Sequence, residues 1–183
     1  MTISNFLTYP YSRGHIHITS PNPSDLNFKT GFLSDPKALD IKALAWSYKT
    51  SREIIRRMTL YRGEVPSWHP PFPSHSSAAC IDINGPLQSV ENIKYTAEDD
   101  EILERFIVER VSTSWHSLGT CKMAGLEQGG VVDGALNVYG VGGLKVADLS
   151  VLPGNVGAHT NNTAMAVGEK AADIIVKELG LWA

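Results

Sequence analysis

Two histidines stand where chemistry is possible. His116 lies in the segment SWHSLGTCKM, residues 114–123. His159 lies in GAHTNNTA, residues 157–164, a few residues after VADLSVLP, residues 146–153. Each sits in a Gly- and Thr-rich turn beside an expected strand or helix. A neutral imidazole takes up a proton near neutral pH, so a histidine pair suits removal of a proton from a hydroxyl group. The two are 43 residues apart, and only the fold brings them together.

Each candidate also has a plainer reading. A lone histidine beside a strand is more often structural than catalytic. Asp148 suits a turn cap, and Trp115 suits core packing. Cys121 reads as a small apolar residue rather than a nucleophile. His15 and His17 read as strand-surface residues. His69 and His75 lie in a Pro-rich stretch with no metal-ligand spacing to the cysteines. Asn161-Asn162-Thr163 fits the glycosylation acceptor pattern, but it falls where a buried helix start is expected. A hydrolase using His116 with Ser112, Ser114 or Ser117 would need a Gly-x-Ser-x-Gly elbow, which the sequence lacks.

The elements that must position these residues follow from periodicity. Residues 13–19, RGHIHIT, alternate around two isoleucines and predict a strand. Asp35-Pro36 predicts a helix start, with Asp as cap and Pro at the first helical position. Ile41, Leu44, Ala45, Tyr48, Ile55 and Met58 fall on one face of that helix, which should end near Thr59. Prolines 66, 70, 71, 73 and 86 make residues 62–94 irregular. Thr96 and the acids after it predict a second helix, with Ile102, Leu103, Phe106, Ile107 and Val111 as its apolar face. Val131-Val132 and Leu144-Lys145-Val146 read as short strands. A last helix spans about 162–179, and its wide apolar arc predicts burial on more than one side.

Composition bounds the function classes. With 183 residues, 43% hydrophobic and 19% charged, the chain has enough apolar material for a core and reads as globular. A net charge of −3 gives no broad attraction to nucleic acid. No apolar run approaches the roughly 20 residues of a membrane span. The start of the chain lacks signal-peptide character, and the end is not a Ser-Lys-Leu address. Two cysteines do not make a disulfide framework, so an intracellular, reducing setting is the expectation.

Taken together, these segments resemble the C-terminal module of the glucose–methanol–choline oxidoreductases. That family's His-x-x-Gly-Thr-x-x-Met segment is matched by His116, Gly119, Thr120 and Met123. Its Ala-Asp-x-Ser-x-x-Pro segment is matched by Ala147, Asp148, Ser150 and Pro153. Its His or Asn followed by Thr at the head of the last helix is matched by His159 and Thr160. The opening YSRGHIHITS, residues 11–20, resembles the start of the same module. Trp115, with WSYK at 46–49 and NVYG at 137–140, is most similar to the alcohol (methanol) oxidase branch.

The resemblance implies a mixed α/β fold, of the α+β kind. A substrate-binding sheet with helices would occupy about residues 10–145. The segment at about 146–179 would return to complete a flavin-binding domain. It implies FAD as cofactor and a small primary alcohol as substrate, oxidised to an aldehyde by hydride transfer to the flavin, with O2 as acceptor. His116 would be the proton acceptor and His159 would hold the substrate oxygen. Asp148, Thr160 and Asn161 would line the flavin, and Trp115 would narrow the substrate pocket.

The family holds the ADP half of FAD with a Gly-x-Gly-x-x-Gly turn, and Gly140-Val141-Gly142-Gly143 has the wrong spacing for one. The resemblance therefore implies roughly the last third of a complete enzyme, inactive alone, without the N-terminal FAD/ADP-binding region. Its companions would be that flavin domain or further copies of itself. The stretch between the Pro-rich segment and Ile93 also looks shortened relative to alcohol oxidases. The alternative is a non-catalytic remnant that binds or stabilises a partner chain.

Overall fold

A computed structural model describes residues 2–181. The elements run β1 (His15–Ile18), β2 (Leu26–Lys29), α1 (Leu39–Arg56), α2 (Ala97–Arg110) and α3 (Asn161–Glu178), with three short 3-10 turns at 66–68, 126–128 and 149–151. This is the mixed α+β content the sequence implies. The described residues divide into two compact units: residues 2–13 with 31–112, and residues 14–30 with 113–181.

In the first unit α1 starts at Leu39, three residues later than the Asp35-Pro36 signal predicts. Asp35 still caps it, from outside the helix. Its carboxylate accepts the backbone N–H groups of Leu39 at 2.6 Å and Asp40 at 3.2 Å. The chain between turns back through Ala38, at φ 51°. The helix ends at Arg56 rather than near Thr59.

α2 begins as expected. Thr96 accepts the Asp99 N–H at 3.1 Å, and Asp99 accepts the Thr96 N–H at 2.8 Å, a reciprocal capping box. Ile102, Leu103 and Ile107 are its buried face.

The Pro-rich segment makes no long elements, but it is tied down by charge. The Arg52 side chain on α1 is nearly fully buried. It donates to Glu64 at 2.8 Å, to the Ala78 carbonyl at 2.7 Å and to the Ala79 carbonyl at 3.1 Å. The other Glu64 oxygen accepts the Ile81 N–H. At the end of α1, Arg56 reaches the Glu91 carbonyl and Arg57 reaches Asn92. These bonds satisfy backbone groups that irregular chain leaves without partners.

In the second unit β1 and β2 form an antiparallel hairpin, with His15 opposite Lys29, Ile16 opposite Phe28, His17 opposite Asn27 and Ile18 opposite Leu26. Gly14 is required at its entry, because a Cβ there would fall 2.4 Å from the Lys29 carbonyl oxygen. β2 was not legible: LNFK alternates, but only over four residues directly after a Pro-, Ser- and Asp-rich turn.

Val131-Val132 and Leu144–Val146 form isolated bridges rather than strands: Met123 with Val132, Val132 with Val138 and Asn137 with Lys145. Glycines and turns every few residues cut the pairing short. The core gathers Val132, Leu136, Val151 and Ala171, with Val146, Val167 and Ile174 packed against it.

α3 forms as expected, but its burial does not match the expectation. Ala171 is its buried residue, and Val167 and Ile174 are partly covered. Met165, Ile175 and Leu179 on the same helix are exposed. The wide apolar arc is therefore buried within its unit along one stripe, and the rest faces out. Asn161 and Asn162 are exposed too, so the expected buried helix start holds at Thr160 alone, 2% exposed. Among the described residues no helix is long and apolar enough to cross a membrane. Both cysteines are free thiols.

Candidate active site

The second unit brings the two histidines together. After His116 the chain turns at Gly119, whose φ of 82° favours glycine, and then runs beside the 149–151 turn. Its N–H groups bond across in sequence: Gly119 to the Leu149 carbonyl at 3.4 Å, Cys121 to Ser150 at 2.9 Å and Met123 to Val151 at 2.7 Å. This stitching brings the His116 segment to within a few residues of His159 along the chain.

The result is direct contact. His116 Nε2 lies 2.7 Å from His159 Nδ1, and the rings stand nearly perpendicular, at 87°. One nitrogen must donate and the other accept, so the bond exists only while at least one ring is neutral. His116 is half-buried and His159 is exposed.

Trp115 precedes His116 in the left-handed region, at φ 57°, with its N–H donated to Thr113 Oγ1 at 2.9 Å. A bulky residue rarely adopts that conformation. Trp115 is 85% exposed, so it packs no core within this unit. The plain reading of Trp115 as a packing residue does not hold in this chain.

Asp148 caps the 149–151 turn, accepting the Ser150 N–H at 2.7 Å. Hydrogen bonds from the Ser150 side chain and backbone hold its carboxyl below the usual range. Thr160 is the N-terminal cap residue of α3, and its side chain makes no capping bond. Its carbonyl accepts the Ala164 N–H at 2.8 Å. The first amides of α3 therefore have no helical partner, and the adjacent Asn161 is exposed.

The first unit holds a second polar cluster that sequence reasoning passed over. The Tyr48 hydroxyl lies 2.8 Å from His69 Nδ1. Burial, and then the Arg52 charge, push His69 below its ordinary pKa. Burial likewise pushes the Tyr48 phenol up. The signal was present in Tyr48 and Arg52, one turn apart on α1, but spacing alone does not show that a proline loop folds over them. Among the described residues no three His, Cys, Asp or Glu side chains gather to hold a metal.

Residues 10–168 match the GMC oxidoreductase family. An alcohol oxidase of Pichia angusta is 42% identical over 226 aligned positions, covering 98% of this chain and 34% of that protein. The alignment is longer than the chain, so that oxidase carries inserted residues this chain does not. A formate oxidase of Aspergillus oryzae RIB40, studied for FAD modification, superposes with a TM-score of 0.66 at 26% identity, over 92% of this chain and 26% of its own. A fungal aryl-alcohol oxidase gives a TM-score of 0.62 at 28% identity, over 94% and 25%. The chain spans about a third of the length of the curated alcohol oxidases it matches. With a match that runs through both histidine segments, the chain belongs to the GMC oxidoreductase family.

Proposed function

We propose that this chain is the catalytic end of an FAD-dependent oxidoreductase acting on the CH–OH group of a small primary alcohol. The product is the aldehyde, and O2 is the electron acceptor. The observation that carries the reading is the 2.7 Å approach of His116 to His159. The alcohol oxidase identity of the relative named above supports the substrate class. In this reading about residues 10–145 serve the substrate and about 146–179 serve the flavin.

Removing two hydrogens from an alcohol needs an acceptor for a proton and an acceptor for a hydride. Bound FAD supplies the second. This chain's residues supply the first. The alcohol oxygen enters between the two imidazoles and replaces their direct bond with one bond to each. His116 Nε2 takes the hydroxyl proton. His159 donates to the same oxygen and holds it while charge builds there.

The chain fits a flavin ring on two counts. The α3 amides after Thr160 lack helical partners and could donate to a group that accepts hydrogen bonds. Asn161, next to Thr160, is exposed, and so is Asp148, the cap of the 149–151 turn. Trp115, held out by its backbone, forms a wall that favours short alcohols.

The test uses the complete protein with its flavin. Anaerobic mixing with methanol or ethanol in stopped flow should bleach the oxidised flavin band. Absence of bleaching with any primary alcohol, in protein that retains its flavin, would overturn the reading.

A further inference from the structure

The hairpin carries a second pair of histidines. Strand alternation puts His15 and His17 on one face and Ile16 and Ile18 on the other. The two imidazoles are stacked, with ring centres 5.2 Å apart and planes 27° from parallel. Asn27 stands opposite His17 on β2, and its Oδ1 lies 3.3 Å from His15 Nε2. All three residues are exposed. The His17 ring makes no hydrogen bond among the described residues.

We propose that His15, His17 and the Asn27 amide oxygen form an open binding site for a divalent transition metal. Two side-by-side imidazoles with one amide oxygen are a nitrogen-rich set with positions left for water. Such a set favours copper(II), nickel(II) or zinc(II) over calcium or magnesium, and copper(II) binds tightest in that series. No carboxylate takes part: Asp25, at the turn, is engaged by Ser20 and Asn22. Lys29 faces His15 across the hairpin and is the one like charge within the paired residues 15–18 and 26–29. Its exposed, flexible stem lets the ammonium swing into water. With ligands on both strands, a bound metal would pin β1 to β2. A two-stranded hairpin is marginal by itself, so this matters for its order.

The experiment titrates copper(II) into the 183-residue chain and reads electron paramagnetic resonance, with amide exchange of residues 15–29 as a second measure. The expected result is one equivalent bound through two imidazole nitrogens, with slower exchange in the hairpin. The H15N–H17N double variant should weaken binding at least about ten-fold, since loss of even a supporting ligand contact costs that much. The H116N–H159N double variant should leave the signal unchanged, which separates this site from the proposed catalytic pair. Both hairpin substitutions are on exposed side chains, and circular dichroism checks the fold. The proposal fails if the wild type binds no more tightly than free imidazole. It also fails if the signal survives in H15N–H17N or disappears in H116N–H159N.

Discussion

His116 and His159 share a single hydrogen bond at 2.7 Å, so the pair has one acceptor nitrogen at their contact and one donor. The two roles are not equivalent. On the proposed roles, His116→Ala in the full-length protein would remove the proton acceptor and should slow flavin reduction by about 10²–10⁴-fold. His159→Asn keeps a donor for the substrate oxygen and should cost less. Stopped-flow reduction at saturating alcohol gives both values, and the reverse order would reassign the base.

Trp115 joins strain to position. A non-glycine residue in the left-handed region costs roughly 1–2 kcal/mol. Asn tolerates that region better, so Trp115→Asn should raise the stability of the chain by about 1 kcal/mol. If Trp115 lines the pocket as proposed, the same change in the full-length protein should widen it and raise activity on longer alcohols relative to methanol. Thermal unfolding checks the first outcome, and kcat/KM across an alcohol series checks the second.

The ion pair of Arg52 and Glu64 should be costly to break. Both side chains are nearly fully buried, at 3% and 5% exposed. Arg52→Met leaves Glu64 charged and unpaired, a loss of about 3–5 kcal/mol, and Arg52→Met with Glu64→Leu should recover part of it. Urea unfolding measures both.

That pair also sets an acid limit. Burial opposes ionisation of Glu64, but the Arg52 and Ile81 hydrogen bonds outweigh it and hold the carboxyl below its ordinary value. A depressed carboxyl contributes stability that is complete above the unfolded pKa, about 4.3. That contribution is lost as pH falls through the lower folded value. Glu64→Gln should therefore lower stability at pH 7 and flatten its decline below about pH 4.3. A decline as steep as wild type would place the acid sensitivity elsewhere.

The chain alone should hold FAD weakly or not at all. On the proposed reading it would offer ring contacts at Asp148, Thr160 and Asn161, but it has no Gly-x-Gly-x-x-Gly turn for the pyrophosphate. Co-purification of the 183-residue chain with one equivalent of FAD would contradict this. Met165, Ile175 and Leu179 are exposed on α3, so the same preparation should bind an apolar dye until a covering domain is added.

The helices were legible because their signals are local. Thr96 and Asp99 lie three residues apart and cap α2 whatever surrounds them. The spacing of the α3 apolar residues gave the helix but not its covered side, since burial depends on what packs there. Asp35 was read correctly as a cap and wrongly as the first residue before the helix, because its reach past Ala38 depends on a left-handed turn that sequence does not announce. The histidine pair was legible only through the ordered motifs. Their meeting depends on backbone bonds from Gly119, Cys121 and Met123 that involve no particular side chain. The Tyr48–His69 contact was not legible, because it forms across a proline-rich segment with no period to read.

The stitching of 119–123 to 149–151 has a kinetic consequence. It closes a loop of about thirty residues that contains only isolated bridges and one short turn. Closing such a loop costs chain entropy before any contact repays it. α3 can begin to form from its own sequence, but the imidazoles meet only after that closure. Pulse-labelled hydrogen exchange should therefore protect the amides of α3 before those of Cys121 and Met123. The site is thus assembled late in folding, and substitutions in the 124–148 loop should slow its appearance without touching either histidine.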